Sequence, residues 1–136
     1  MIVDASALIA ILTQEPGWED LRTALVDEPT GLPAPAMVEF MRVASGERLG
    51  LADKALALLA ECEAIGMDVV EFTGEHAKLA AQAIAVHGKG LGSGGTLNLL
   101  DLMVYAVARE RGEPLLCTGK DFAATDLTLH AASRSF

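Results

Sequence analysis

The chain has 136 residues, of which 51% are hydrophobic and only 4% aromatic, and its formal net charge is −9. This length fits a single domain, residues 1–136, and the composition excludes a disordered chain. So few aromatic residues argue against a β-sandwich and favour a core of Leu, Ala, Val and Ile, as in helices packed on a buried sheet.

The net charge restricts the expected partners. Binding of a polyanion normally relies on Lys and Arg side chains that displace counterions. A charge of −9 is then explained either by carboxylates gathered around a divalent cation or by a basic protein partner.

The sequence predicts neither secretion nor membrane insertion. The chain opens on MIVDAS without the basic region of a signal peptide, and no apolar run reaches the ~18 residues that a membrane-spanning helix needs. Cys62 and Cys117 lack a metal-binding spacing and are interpreted as small buried hydrophobes. We therefore expect a reduced, cytoplasmic protein.

The first half of the chain predicts short strands that alternate with helices. The expected elements are a strand over residues 1–3, helices over 5–12 and 16–26, a turn at 28–31, a short strand near Leu32, a helix whose start lies between Pro33 and Pro35, and a helix over 53–62. Asp4 thus lies directly after a strand, and Glu39 lies on the third helix.

The second half continues the alternation. The expected elements are a strand over residues 67–72, an N-cap at Thr73, helices over 75–86 and 99–111, a C-cap at Gly112 and a strand over 115–118. Residues 87–96 contain five glycines, which excludes regular structure and indicates a functional or mobile loop.

This alternation predicts an α/β fold of three layers, with a central, mostly parallel sheet flanked by helices. Ligands of such sheets bind beyond the carboxyl ends of the strands. Asp4 and Asp121 both fall at that edge, and Glu39 and Asp101 lie on helices that can point into the same crevice. Oxygen ligands of this kind favour Mg²⁺ or Mn²⁺ over Zn²⁺.

Each acid also has an ordinary structural interpretation. Asp4 can cap the helix that follows it, Glu39 can be a solvated helix residue, and Asp121 and Asp126 can be turn residues. Asp101 stands among apolar neighbours at a helix N-terminus, where an ionised carboxylate is costly unless it is paired.

Three segments together resemble the PIN domain of the VapC toxins of bacterial toxin–antitoxin pairs. They are MIVDASALIAIL, APAMVEFMRV and LNLLDLMVYAVARERGEPLLCTGKDFAATDL, in the order and at separations that suit that family. The resemblance covers nearly the whole chain, and the last segment is the most specific.

The resemblance implies a ribonuclease whose acidic pocket consists of Asp4, Glu39, Asp101 and Asp121. It implies that one or two Mg²⁺ or Mn²⁺ ions activate a water for attack on an RNA phosphodiester, with Asp4 and Asp101 in direct contact with metal. Glu39 would orient a water or take its proton, and Asp121 would complete the cluster. Ser6 and Asp126 are implied as accessory members, and Lys120 either holds an RNA phosphate or pairs with a metal-binding carboxylate.

The resemblance also implies partners. A cognate antitoxin would lay a helix on the surface and place a basic side chain in the acidic pocket, and the protein would form a homodimer. The sequence candidates for an apolar contact surface are Leu8, Ile11, Trp18 and Leu21, although core packing explains these residues equally well.

Two other functions stay open. In a phosphoacceptor receiver module, Asp4 would accept phosphate and Lys120 would assist, but a receiver places its acceptor on a middle strand, and Glu39 and Asp101 would lack a role. A PIN-like protein that only binds a partner is the other alternative.

Overall fold

The computed structural model describes residues 1–92 and 94–134. Short strands and helices follow one another in the order predicted from the sequence. In chain order they are β1 (Ile2–Val3), α1 (Ala5–Leu12), α2 (Trp18–Asp27), β2 (Gly31–Pro33), α3 (Ala34–Ser45), α4 (Ala52–Ala64), β3 (Asp68–Val70), α5 (Gly74–His87), α6 (Leu99–Arg111) and β4 (Leu115–Leu116).

The four strands form one parallel sheet in the order β3-β2-β1-β4. Ile2 pairs with Gly31 of β2 on one side and with Leu115 of β4 on the other. Every residue of β1, β2 and β4 is buried, as expected of a sheet that helices cover on both faces. The predicted fold class is confirmed.

The sheet topology directs attention to the carboxyl end of β1. From β1 the chain continues to β2 on one side, whereas β4 joins on the other side. The chain order therefore reverses between β1 and β4, and a crevice forms beyond the ends of two such strands. Asp4 directly follows β1 and lies at the mouth of this crevice.

Local side-chain caps set the limits of the helices. Asp4 caps α1 by accepting a hydrogen bond from the Ser6 backbone N–H, and Thr73 caps α5 by accepting one from that of His76. Gly112 ends α6 in the left-handed conformation with φ 63°, which a glycine adopts without strain. The predicted caps at Thr73 and Gly112 are confirmed.

Two predicted boundaries are wrong. Pro16 lies in a turn before α2, because the helix begins at Trp18 after Gly17, whose φ is 90°. A Cβ on Gly17 would lie 2.5 Å from Nε of Arg134, so a larger residue here would displace the Arg134 side chain. The last strand ends at Leu116 and is shorter than the predicted 115–118. Beyond its end, the Thr118 backbone N–H donates a hydrogen bond to Ser6 Oγ.

The glycine-rich connection is held together at its base. Its ends pair through two backbone hydrogen bonds, from Lys89 N–H to the Leu97 carbonyl at 2.8 Å and from Leu97 N–H to the His87 carbonyl at 2.9 Å. Leu97 is buried in the core. The segment is a loop, as predicted, but one that is anchored at its base.

The apolar residues suggested for a contact surface lie mostly inside the protein. Leu8, Ile11 and Leu21 are core residues, so the interpretation of these residues as a dimer surface is wrong. Trp18 is half-buried and packs against the edge of the core. The core also contains Cys62. In the part of the chain that the structure describes, no helix is both long and apolar enough to cross a membrane.

Candidate active site

Asp4 lies at the centre of the site with only 4% of its surface exposed. Its Oδ2 accepts hydrogen bonds from the Ser6 backbone N–H at 3.1 Å and from Ser6 Oγ at 2.5 Å. Its Oδ1 is buried and accepts no hydrogen bond from any described residue. A buried carboxylate oxygen without a donor is costly, which makes this atom a natural ligand for a cation.

Asp101 occupies the first turn of α6, where 7% of its surface is exposed. Burial raises the pKa of its carboxyl to about 7, although a hydrogen bond from the Asn98 backbone N–H at 3.1 Å acts in the opposite direction. The negative charges of Asp4, Asp121 and Glu39 raise this pKa further. Burial and the charges of the other three acids therefore disfavour the ionised form of the Asp101 carboxyl.

Glu39 projects from α3 and is half-buried. Burial raises the pKa of its carboxyl, the charge of Asp4 raises it further, and Arg42 opposes both effects. The pKa of Asp4 is raised by burial as well, against the hydrogen bonds from Ser6, and the charge of Asp121 adds to the increase. Glu39 thus shares the electrostatic environment of the two buried aspartates.

Asp121 is the exposed member of the cluster, in the loop that follows β4. Its charge acts on both Asp4 and Asp101, and its backbone carbonyl accepts a hydrogen bond from Thr96 Oγ1 at 2.5 Å. The structure thus brings the four acids expected from the sequence within electrostatic range of one another. Their catalytic roles stay predictions.

Ser6 connects the two strand ends that form the crevice. While its hydroxyl donates to Asp4, its Oγ accepts a hydrogen bond from the Thr118 backbone N–H at 3.0 Å. Sequence reasoning named Ser6 as an accessory residue but missed Thr118. It also missed Asn98, although an Asn three residues before an acid at a helix start is a capping-box signal.

The carboxylate of Asp126 contacts side chains of α6. It accepts a hydrogen bond from the Tyr105 hydroxyl at 2.6 Å and an ion pair from Arg109 Nε at 3.1 Å. The Tyr105 hydrogen bond is the main cause that lowers the pKa of Asp126, and Arg109 and His87 act in the same direction. These contacts attach the end of the loop to α6 and support an anchoring role better than a metal-binding one.

The two lysines singled out in the sequence are exposed. Lys120 forms no ion pair with a carboxylate of residues 1–92 or 94–134, so the structure gives no support to the idea that it weakens the acidic cluster. Contact of Lys120 or Lys89 with an RNA phosphate stays a prediction.

The donor set fits a hard divalent cation. It consists of carboxylate oxygens. One of them, Oδ1 of Asp4, is buried without a donor among the described residues, and the pKa values of Asp4, Glu39 and Asp101 are raised. Across the described residues, no three His, Cys, Asp or Glu side chains already stand at distances that would enclose one ion. Asp4 and Asp101 are therefore the buried part of the candidate site, and Glu39 and Asp121 are its less buried part.

Comparison with known proteins gives one family. Residues 1–127 match the PIN domain family. A VapC ribonuclease of Mycobacterium bovis is 37% identical over 132 residues, which cover 93% of this chain and 96% of that protein. A VapC ribonuclease of Rhizobium meliloti is 35% identical over 139 residues, which cover 92% and 97%.

Solved structures agree in fold at much lower identity. The VapC20 toxin of Mycobacterium tuberculosis, described as cleaving the sarcin–ricin loop, superposes with a TM-score of 0.74 at 17% identity and covers 93% of this chain and 95% of its own. The VapBC2 complex of Rickettsia felis, solved with a DNA fragment of its promoter, gives a TM-score of 0.69 at 12% identity, with coverage of 95% and 96%.

Proposed function

Because the chain belongs to the PIN domain family, and within it to the VapC ribonucleases, we propose that it is the toxin of a VapBC-type pair, an endoribonuclease that hydrolyses RNA phosphodiester bonds with Mg²⁺ or Mn²⁺. The observation that carries the proposal is the buried Oδ1 of Asp4, which no described residue serves as a donor and which lies in range of three other acids.

Asp4 and Asp101 are the residues proposed to hold the cation. Ser6 orients one oxygen of Asp4, and the Asn98 backbone N–H orients one oxygen of Asp101, so each carboxylate keeps its second oxygen for the ion. When bound, the cation supplies a Lewis acid that stabilises charge on the phosphate and acidifies a water.

Glu39 is proposed as the general base. Its raised pKa makes it a better proton acceptor than an ordinary carboxylate, and its half-buried position leaves it accessible to a water beside Asp4. Asp121 is proposed to complete the cluster directly or through a water. Ser6 acts through Asp4, and Lys120 is retained as a candidate phosphate contact.

RNA cleavage by the purified chain tests this proposal. We expect cleavage with Mg²⁺ or Mn²⁺ and none in excess EDTA. Asp4→Asn should lower the rate at least about 100-fold, because the cation contributes several kcal/mol to catalysis. Glu39→Gln should lower it by a factor of about 100 to 10,000, as for loss of a general base.

Asp68→Asn is the matched control, since Asp68 lies exposed on β3 and its replacement changes the net charge equally. Cleavage that survives EDTA, or that Asp4→Asn leaves intact, would refute the proposal. A wild type that binds Mn²⁺ and cuts no RNA would favour the alternative of a partner-binding module.

The receiver alternative needs one correction. Asp4 does end an inner strand, since β1 lies between β2 and β4, so the expectation that no acid follows a central strand is wrong. The receiver interpretation still leaves Glu39 and Asp101 without a role, and membership of the PIN domain family removes its basis.

A cognate antitoxin and a second copy of the chain are the proposed protein partners. The charge of −9 and the acidic crevice suit an antitoxin that inserts a basic side chain. Such an antitoxin is expected to lower both the Mn²⁺ affinity and the rate of RNA cleavage, and light scattering on the isolated chain tests the homodimer. Both the RNA substrate and the antitoxin would be in the cytoplasm, so we propose that the protein acts there.

A further inference from the structure

The glycine loop, whose described residues are 88–92 and 94–97, is tightly built. A Cβ on Gly92 would lie 2.7 Å from the Val86 carbonyl oxygen, and one on Gly95 would lie 2.1 Å from the Gly88 carbonyl oxygen. Backbone atoms thus fill the space that side chains would need. The glycines permit a compact turn whose base is closed by the backbone pairing of residues 87, 89 and 97.

The last residues of this turn connect two of the acids. Thr96 Oγ1 donates to the Asp121 carbonyl at 2.5 Å, and two residues later the Asn98 backbone N–H donates to the Asp101 carboxylate. Leu97, between them, is buried in the core. A short segment anchored in the core therefore contacts both the exposed acid and the buried one.

The acid loop, residues 119–126, is attached to the rest of the chain at several points. Phe122 anchors it in the core, and Asp126 attaches its end to Tyr105. The bond from Thr96 is the one described hydrogen bond that joins residues 120–125 to a distant segment of the chain. It adds a side-chain restraint to the backbone of Asp121, which lies inside the turn that the Ala123 N–H closes by donating to the Lys120 carbonyl.

The glycine loop and the acid loop also face each other across a cleft of about 300 Å³, which Thr96, Ala124 and Thr125 line together with Gly92 and Gly95. Thr96, which lines this cleft, also donates the hydrogen bond to the Asp121 carbonyl, so it connects the two loops.

We propose that Thr96 is a positioning residue, whose hydroxyl holds the acid loop so that the Asp121 carboxylate meets the cation bound by Asp4 and Asp101. The inference rests on the proposed function and adds to it a role for the glycine loop. Residues that orient a metal ligand typically change metal affinity or activity by ~10- to 100-fold when they are replaced.

Three variants test the proposal. Thr96→Val keeps the shape of the side chain and removes its hydroxyl, and Thr96→Ser keeps the hydroxyl. Thr23→Val is the matched control, since the Thr23 hydroxyl also donates to a backbone carbonyl, that of Glu19, but does so on the exposed face of α2. Each protein is titrated with Mn²⁺ by calorimetry without RNA, and amide hydrogen exchange is followed over residues 120–125.

We expect Thr96→Val to bind Mn²⁺ at least about 10-fold more weakly and to lower kcat for RNA by a similar factor, with little change in KM. Exchange in the acid loop should accelerate, because the loop loses its restraint. Thr96→Ser should restore all three properties, and Thr23→Val should leave them at the wild-type level.

Wild-type Mn²⁺ affinity in Thr96→Val would overturn the inference, as would failure of Thr96→Ser to restore it. Should Thr96→Val not fold, Thr96→Ala is measured in the same way. A wild type that neither binds Mn²⁺ nor cuts RNA would refute the proposed function instead, so the two failures are distinguishable.

Discussion

Replacement of Asp101 by Asn is expected to stabilise the metal-free protein and to inactivate it. The Asp101 carboxyl has a pKa of about 7 in the folded chain and an ordinary value of 3.8. The folded state therefore binds the proton more tightly than the unfolded state does. Below about pH 4 the Asp101 carboxyl costs no unfolding free energy, because it is protonated in both states. As the pH rises from about 4 toward 7 the protein loses stability, because folding then keeps a buried charge close to other negative charges.

The displacement from 3.8 to about 7 corresponds, at about 1.36 kcal/mol per pKa unit, to roughly 4 kcal/mol of unfolding free energy at pH 8. At pH 5 the same relation leaves less than half of this free energy, roughly 1 to 2 kcal/mol, since most folded molecules then carry the proton. An Asn side chain cannot ionise, yet its carbonyl oxygen can still accept the hydrogen bond from the Asn98 backbone N–H. The gain from Asp101→Asn should therefore be larger at pH 8 than at pH 5, by about 2 to 3 kcal/mol.

Urea unfolding in EDTA at pH 5 and pH 8 measures this difference, with Asp68→Asn as the control for net charge. Addition of Mn²⁺ should reverse the order of stability, because the ion stabilises the wild type by about 2.7 kcal/mol at 100 times its dissociation constant and should bind the variant weakly. An Asp101→Asn variant that is less stable than wild type at pH 8, or whose gain does not depend on pH, would refute the reasoning.

Two further predictions concern residues outside the acidic cluster. Burial raises the pKa of the Cys62 thiol to about 11 and that of the Cys117 thiol to about 12. Both thiols should therefore react with a disulfide reagent at pH 8 far more slowly in the native protein than in urea. Equal rates in the two states would contradict this. Tyr105→Phe removes the main hydrogen bond of Asp126 and should cost about 1 kcal/mol of unfolding free energy. The pKa of Asp126 should then rise toward its ordinary value in a carboxyl NMR titration, and an unchanged pKa would rule out Tyr105 as its cause.

Much of the fold follows from interactions between residues close together in the chain. The helix over residues 5–12 and the helix over 99–111 have the predicted limits, since Asp4 and Asn98 cap their starts and Gly112 ends the second. Buried apolar runs flanked by helices are typical of a parallel sheet, which is what forms. Local capping and hydrophobic pattern act over a few residues, so a single sequence reveals them.

The sequence also determined which acids to consider, because Asp4 and Asp121 follow strands whose carboxyl ends share one edge. It left Asp126 open, and only the folded chain shows that Tyr105 and Arg109 take its carboxylate. The sequence also left Leu8, Ile11 and Leu21 open between core and surface, and packing places them in the core.

Only the tertiary structure decided how the acids affect one another. The pKa of Asp101 depends on burial and on charges carried by three other segments, and none of these is a property of its own helix. The contact from Thr96 to Asp121 likewise joins residues that lie 25 positions apart. Propensities and caps describe each segment alone, whereas distances between segments depend on how the whole core packs.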